Sequence, residues 1–409
     1  MMGEKMNVLI ITNYCQTPNE KGNNRFNYIA KLLTDYGHDV ELLTSTFSHK
    51  RKEQRKTEEE KIESVSYKFT MLYEPGYKKN VTLSRFYSHR IFGKNVGKYI
   101  ESMKKRPDVI YCAIPSLDVG VIVCKFAKKH NIPFIIDIQD LWPEAFQMVF
   151  KVPVLRNLVF YPFKSQANYI YSHADSIIAV SQTYANRALK VNKKANDGLS
   201  VFLGTDLEYF DSLKGENATK TKMVKVVYIG TLGHSYDITT TIEAIKILQD
   251  KEIKNIEFIV MGDGPLKEKF ENYAKDRKIN ATFMGRLPYE EMVKILCECD
   301  IAVNPIAKGA AQSIINKVGD YAAAGLPVIN TQECEEYRNI VTNYKIGINC
   351  ENNNSIDMAN KIYELYNNAN ERKEMGRNNR KLAEEKFDRR KTYIKIVKLI
   401  EEMKYKEEI

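Results

Sequence analysis

Short runs of β-branched and aliphatic residues, separated by amphipathic stretches of helical period, recur along this chain almost from end to end. That alternation constrains the fold more than any other feature. A strand buried on both faces needs a continuous apolar run, and parallel neighbours need a long crossover between them, usually a helix. Val8–Thr12, Val40–Thr44, Val109–Ala113, Phe134–Asp137 and Ser176–Val180 read as such strands. Between the first two, Phe26–Tyr36 sets Ile29, Leu32 and Leu33 on one helical face, and Gly37 stands where a C-cap belongs. Strand, helix and strand in this order form a βαβ unit, Rossmann-like by its right-handed crossover.

The same grammar restarts after Phe210. Residues Asp211–Lys222 are polar, carry Gly215 and Asn217, and read as a linker. New strands are expected at Lys225–Ile229, Ile256–Met261, Ala281–Phe283, Ile301–Val303 and Pro327–Asn330. Helices are expected at Thr239–Asp250, Leu266–Arg277, Tyr289–Cys297 and Val318–Ala324. The 409 residues suffice for two cores. The expected fold is therefore α/β, two tandem doubly wound domains at 1–210 and 223–385, with ligands in the cleft between them. A charged helical tail follows, and its last part, 386–409, packs on either domain.

Two stretches break the pattern. His49–Lys61 is a charged block without strand character and reads as a mobile surface loop. Ala145–Phe163 is aromatic and proline-broken beside Lys151, Arg156 and Lys164. It reads either as a loop packed on the first domain or as a segment that touches a membrane surface.

Composition narrows the class. No apolar run approaches the roughly 18 residues that span a bilayer. The seven cysteines are scattered, with no C-x-x-C pair, which favours a reducing cytosol over a disulfide framework or zinc site. Of the net charge of +10, residues 1–210 carry 30 Lys and Arg against 21 Asp and Glu, or +9. Such an excess suits phosphate or anionic lipid, or is simply a solvated face. The basic residues are interleaved with acids, and no nucleic-acid-binding module appears. The six histidines are dispersed, and read as structural or surface residues.

Three expected strands of the second half end in glycine turns: Ile229-Gly-Thr-Leu-Gly233, Met261-Gly-Asp-Gly-Pro265 and Phe283-Met-Gly-Arg-Leu287. Glycine at a strand's carboxyl end lets backbone N–H groups approach a phosphate, and it also serves tight turns. Residues 309–328 run from a polar, glycine-led loop into a helix and then through Ala-Gly-Leu-Pro into the next strand. The helix N-terminus offers unpaired N–H groups to a diphosphate, with Lys317 in its opening turn. Asp320, one turn on, suits a ribose diol, as an acidic residue does in dinucleotide sites.

The loop-helix-AAGLPV segment, the GTLGHSYD and GDGP turns, and Asp140-Leu-Trp-Pro-Glu144 together resemble the retaining glycosyltransferases of family 4, which have the GT-B fold. Among these the chain looks most like bacterial enzymes of capsule, O-antigen and exopolysaccharide assembly. The resemblance covers essentially the whole chain, including Gly22-Asn-Asn-Arg-Phe26 and Gly204-Thr-Asp206. It implies that Gly22, Asn23 and Asn24 close over the donor diphosphate near the acceptor. Gly230, Thr231, Leu232 and Gly233 would face the phosphates with Gly262 nearby, and Gly285, Arg286 and Leu287 would flank the base. Ser313 and Ile314 would lie in the donor loop. The family's two glutamates, eight apart, fall on Gln312 and Asp320. The usual Arg and Lys after the first strand of this domain are missing from GTLGHSYD, which leaves Lys317 and Arg286 to neutralise the diphosphate.

The resemblance further implies transfer from a nucleoside diphosphate sugar, a UDP-sugar by preference, without metal or cofactor. The acceptor implied is a polyprenyl-diphosphate-linked saccharide, reached from the cytoplasm or the inner membrane face. Asp140, at a first-domain strand end, is the candidate for orienting the acceptor or handling its proton. The same position suits an N-cap for the helix that Asp-Leu-Trp-Pro-Glu suggests. Asn24, Arg25, Trp142 and Glu144 are expected on the acceptor side. Two rival readings share the fold: a nucleotide-sugar epimerase, and a non-catalytic subunit that binds nucleotide sugar or scaffolds a partner.

Overall fold

The computed structural model describes residues 4–20, 24–55, 65–80, 82–147, 153–215, 223–310 and 314–405; for 146, 147, 153–157 and 405 it describes the backbone alone. The chain forms two compact units, Met1–Phe202 with Thr392–Ile409, and Leu203–Lys391.

In the first unit seven parallel strands, β1 (Asn7–Ile11), β2 (Asp39–Ser45), β3 (Lys68–Leu72), β4 (Val109–Ile114), β5 (Phe134–Ile138), β6 (Ser176–Ala179) and β7 (Gly198–Ser200), lie in the order β3-β2-β1-β4-β5-β6-β7. The order reverses direction at β1, so the sheet's crevice opens at the carboxyl ends of β1 and β4. Helix α1 (Arg25–Asp35) buries Phe26, Ile29, Ala30 and Leu33 against the sheet. The C-terminal helix Ile394–Tyr405 joins the same core through Ile396, Val397, Ile400 and Met403. That spacing makes one apolar stripe, which is why the tail divides: residues up to Lys391 belong to the second unit and those from Thr392 to the first.

A buried ion pair ties these elements together. Arg25 Nε donates to Asp137 Oδ2 at 2.8 Å, and NH1 reaches the carbonyls of Val201 and Phe202 and the Tyr393 hydroxyl. Tyr111 donates to the same Asp137 oxygen at 2.6 Å.

Both stretches that break the sequence pattern are more ordered than expected. Glu53–Gln54 pairs antiparallel with Phe47–Ser48. Arg55 is buried, donating to the carbonyls of Ser45 and Cys15 and pairing with Glu20 at 3.0 Å. The charged block is thus anchored up to Arg55, and the rest of it, 56–64, lies outside the described residues. From Pro153 to His173 the aromatic segment is a helix rather than a loop. Proline starts a helix readily because the N–H it lacks would be unpaired there anyway, and Pro162 is absorbed within 21 residues of helix. Phe160 faces inward, whereas Leu158, Val159 and Tyr161 are exposed.

The second unit repeats the plan with six parallel strands: β8 (Val224–Ile229), β9 (Ile256–Met261), β10 (Ala281–Gly285), β11 (Ile301–Asn304), β12 (Val328–Asn330) and β13 (Gly347–Asn349), ordered β10-β9-β8-β11-β12-β13. Strands β8 and β11 pair through Val226–Ile301 and Val227–Ala302. Beyond that pairing, the buried Tyr321 hydroxyl accepts from Ile229 N at 3.0 Å and donates to Val303 O at 3.1 Å. One side chain thus satisfies backbone groups where the sheet splits, and the crevice opens above it. The strands β3, β7 and β13 went unseen in the sequence because each is a half-buried edge without a continuous apolar run.

Candidate functional site

Three loops leave the carboxyl ends of β8, β9 and β10 and pack on one another through backbone. Gly262 N donates to Gly285 O at 2.7 Å, and Leu232 N donates to Asp263 O at 2.9 Å. A Cβ on Gly262 would lie 1.8 Å from the Gly230 carbonyl oxygen, and one on Gly264 would lie 2.4 Å from that of Leu232. Gly230 and Gly285 have left-handed φ values of +130° and +69°. Glycine at 262 is therefore fixed by contact between loops, whatever binds there. Gly233 differs: a Cβ there would meet only Thr231 Cγ2, at 3.6 Å, so packing does not demand glycine. Thr231 and Arg286 are exposed and Leu287 is half-buried, whereas the side chains of Leu232 and Ile314 are buried, which leaves only their backbone to a ligand.

Helix α2 (Asn316–Ala323) begins beside these loops. Its N-cap residue is Ile315, which has no side-chain acceptor, and no side chain among the described residues caps the first-turn N–H groups. Lys317 is buried in that turn, and its ammonium has no hydrogen-bond partner among the described residues. It is held 4.0 Å from the ring centre of Tyr228 and 3.9 Å from that of Tyr236. A Cβ on Gly230 would come within 3.2 Å of it, so the glycine turn and the cation are neighbours. Burial holds the Lys317 pKa well below the ordinary lysine value, while the two ring faces favour the charged form. Lys267, which the sequence reading passed over, brings a second cation to these loops, 3.3 Å from where a Cβ of Gly285 would be.

Asp320 sits one turn further along α2. Tyr289 OH at 3.0 Å and Thr205 Oγ1 at 3.3 Å both donate to its Oδ1, and no described residue donates to Oδ2. Burial raises its pKa to about 6 against these hydrogen bonds. Tyr289 is itself stacked on Tyr209, with ring centres 6.1 Å apart and planes at 13°. The expected donor residues Gly230, Gly262, Gly285, Lys317 and Asp320 thus gather at the carboxyl edge of one sheet. Gly22, Asn23, Gln312 and Ser313 lie outside the described residues.

In the first unit Asp140 follows β5. Its Oδ1 accepts from Leu141 N at 2.9 Å and from Tyr184 OH at 3.4 Å, and its Oδ2 accepts from Trp142 Nε1 at 3.3 Å. The next helix starts only at Glu144, so Asp140 does not cap it. Burial raises its pKa. Trp142 is buried as a wall, 4.5 Å from the Arg85 guanidinium and stacked on His89 at 5.5 Å. Glu144 pairs with Arg187 at 2.6 Å. Asn24 is half-buried and donates to Glu20 O at 3.1 Å. Arg25 does not point to an acceptor: it is 2% exposed, and its contacts among the described residues are interior ones.

Two family models divide the chain between them: "Glycosyltransferase Family 4" matches residues 23–201, and "Glycosyl transferases group 1" matches residues 210–382. The chain belongs to the family 4-like glycosyltransferases. An uncharacterised glycosyltransferase of Methanocaldococcus jannaschii is 26% identical over 236 residues, 58% of this chain and 62% of that protein, so the match spans less than two thirds of the relative. A shorter match, 32% over 78 residues, covers 18% of this chain and 22% of a Campylobacter jejuni enzyme. That enzyme is named GalNAc-alpha-(1->4)-GalNAc-alpha-(1->3)-diNAcBac-PP-undecaprenol alpha-1,4-N-acetyl-D-galactosaminyltransferase. Among solved structures, sucrose-phosphate synthase from Thermosynechococcus elongatus superposes with a TM-score of 0.70 at 15% identity, covering 98% of this chain and 99% of that one. HepE of Anabaena, in complex with UDP-glucose, gives 0.66 at 14% identity, covering 97% and 99%. These structural likenesses establish the GT-B fold of two Rossmann-like domains.

Proposed function

We propose that this glycosyltransferase moves a sugar, with retained configuration and without metal, from a nucleoside diphosphate donor bound at the carboxyl edge of the second unit's sheet. The observation that carries the reading is Lys317: a buried ammonium with no hydrogen-bond partner among the described residues, beside a glycine turn and a helix start that none of those residues' side chains caps. A cation so placed is balanced by an anion, and a diphosphate also accepts from N–H groups at the start of the same helix. Asp320 Oδ2, open to a donor, suits the ribose diol. UDP is the nucleotide proposed, since it is the one bound in the HepE structure.

The acceptor hydroxyl forms its bond to the anomeric carbon as the bond to the diphosphate oxygen breaks. The proton passes to a donor phosphate oxygen, and Lys317 with the helix N-terminus stabilises the negative charge of the leaving group. In the first unit Asp140, held by Trp142 and Tyr184, is assigned to binding the acceptor. The proposed acceptor is a saccharide on a polyprenyl diphosphate, as in the name of the Campylobacter relative, in surface-polysaccharide assembly. Exposed Leu158, Val159 and Tyr161, on one helix with Lys164, would rest on the anionic face of the membrane that holds it. No helix among the described residues is long and apolar enough to cross a membrane.

A thermal-shift screen with UDP, GDP, ADP and their sugars, with and without EDTA, tests the reading. A nucleotide at 100 times its Kd adds about 2.7 kcal/mol of stability. The expected result is one stabilising nucleotide, unaffected by EDTA, whose effect is lost in Asp320→Ala and Lys317→Ala. No shift with any nucleotide at millimolar concentration would remove the donor site.

A further inference from the structure

Lys267 opens the helix Lys267–Asp276 just after the GDGP turn, and the glycine loops fix its backbone. Its N–H donates to Gly264 O at 3.1 Å, and that of the preceding Leu266 donates to Leu232 O at 2.9 Å. The side chain is half-buried, and its ammonium makes no hydrogen bond or ion pair among the described residues. It lies 3.3 Å from where a Cβ of Gly285 would be. Apart from the neighbours of Gly285 in the chain, no other atom of a described residue comes within 4 Å of that point. Gly285 therefore faces open space that this lysine borders.

The three loops keep a fixed order along the sheet edge. Lys317 stands beside Gly230 after β8, Gly230 packs on Gly262 after β9, and Gly262 N donates to Gly285 O at the end of β10. Strands β8 and β10 are two spacings apart, about 10 Å, so the two ammoniums mark opposite ends of one ledge. The far end is also tied to Asp320, because Tyr289, just beyond the β10 loop, donates to Asp320 Oδ1 at 3.0 Å. In a nucleotide the base is attached next to the carbon that bears the 2′-hydroxyl. With the phosphates at Lys317 and the ribose diol at Asp320 Oδ2, the base comes onto the loop after β10, beside Lys267.

Charge decides which base fits there. An ammonium has three N–H donors and no acceptor. It pairs with a carbonyl oxygen on the ring edge farthest from the ribose, which is O4 in uracil. Cytosine carries an amino group at the same position, and that group meets the ammonium donor to donor. We propose, on the strength of the donor site described above, that Lys267 selects the nucleobase: its ammonium donates to this carbonyl, so the site takes a uracil nucleotide and rejects a cytosine one.

Titration calorimetry on the full-length protein with UDP, CDP and inorganic pyrophosphate tests the assignment in the wild type, Lys267→Met and Lys267→Arg. The wild type should bind UDP about tenfold or more tighter than CDP. Lys267→Met keeps the stem and loses the donors, so it should weaken UDP about tenfold, bring UDP and CDP close together and leave pyrophosphate unchanged. Lys267→Arg keeps the charge and the donors and should keep the preference. Each free variant should melt with the wild type, since the ammonium has no bonded partner among the described residues to lose. A preference for UDP that Lys267→Met leaves intact overturns the proposal while the donor site stands. An equal loss for UDP, CDP and pyrophosphate also overturns it, because the lysine then serves the phosphates, as does a wild type that prefers CDP. Failure of the wild type to bind any of the three removes the donor site itself, and base selection with it.

Discussion

Replacing Lys317 with methionine keeps most of the side chain's length and removes only its charge. In the unliganded protein that charge lies between two tyrosine rings and has no hydrogen-bond acceptor among the described residues. Ring faces contribute about 0.5 to 2 kcal/mol each, and taking an ammonium out of water costs several kcal/mol. The free variant should therefore melt at or above the wild-type temperature. With UDP bound, the ammonium makes a charge-assisted contact worth about 1.5–3 kcal/mol. At 1.4 kcal/mol per factor of ten, the variant should bind UDP about 10- to 150-fold more weakly, with uridine affinity nearly unchanged. Titration calorimetry with UDP and uridine measures both.

The sign with pH is fixed as well. Because the folded pKa is depressed, the unfolded chain binds this proton more tightly, and the free wild type gains stability as pH rises toward the ordinary lysine value of 10.5. Lys317→Met should lose that slope. A variant that melts several degrees lower, or binds UDP within twofold of wild type, would refute the reasoning.

Further outcomes follow from the same site and its support. Nucleoside affinity should fall as pH drops through about 6, where Asp320 becomes neutral and no longer accepts fully from the ribose, and Asp320→Asn should bind weakly with a flat profile between pH 5 and 8. Gly262→Ala, with a Cβ 1.8 Å from a carbonyl oxygen, should cost about 1–3 kcal/mol or more in denaturant melts. Gly233→Ala, which meets nothing closer than 3.6 Å, should leave stability within about 0.5 kcal/mol and weaken UDP alone. Arg25→Met leaves Asp137 buried and unpaired, so it should destabilise the first unit by about 3–5 kcal/mol, and the double variant Arg25→Met with Asp137→Asn should recover part of that loss.

How legible the chain was depended on how local each signal is. Central strands such as Ile256–Met261 declared themselves because burial on both faces demands an unbroken apolar run, and Phe26–Tyr36 because its stripe meets one core. The glycine turns at 230, 262 and 285 were visible as glycines, but the same letters gave no sign that Gly262 serves a neighbouring loop and Gly233 does not. Lys317 and Asp320 could be proposed from the sequence because a helix start with a cation, and an acid one turn later, is a pattern within a single segment.

Lys267 and Arg85 were not found, since each gains its meaning from a group that only the fold brings near it. Arg25 was misplaced for the same reason. Its partner Asp137 is 112 residues off, and only the pairing of β5 with its neighbours brings that carboxylate under α1. By itself, then, the sequence determined the α/β class, the two-unit plan and the segment that forms the proposed donor edge, all of which follow from periodicity and local turn chemistry. The tertiary structure alone decided which charges are buried and which are paired. Burial and Coulomb energy depend on distances through space, and a spacing along the chain does not contain them.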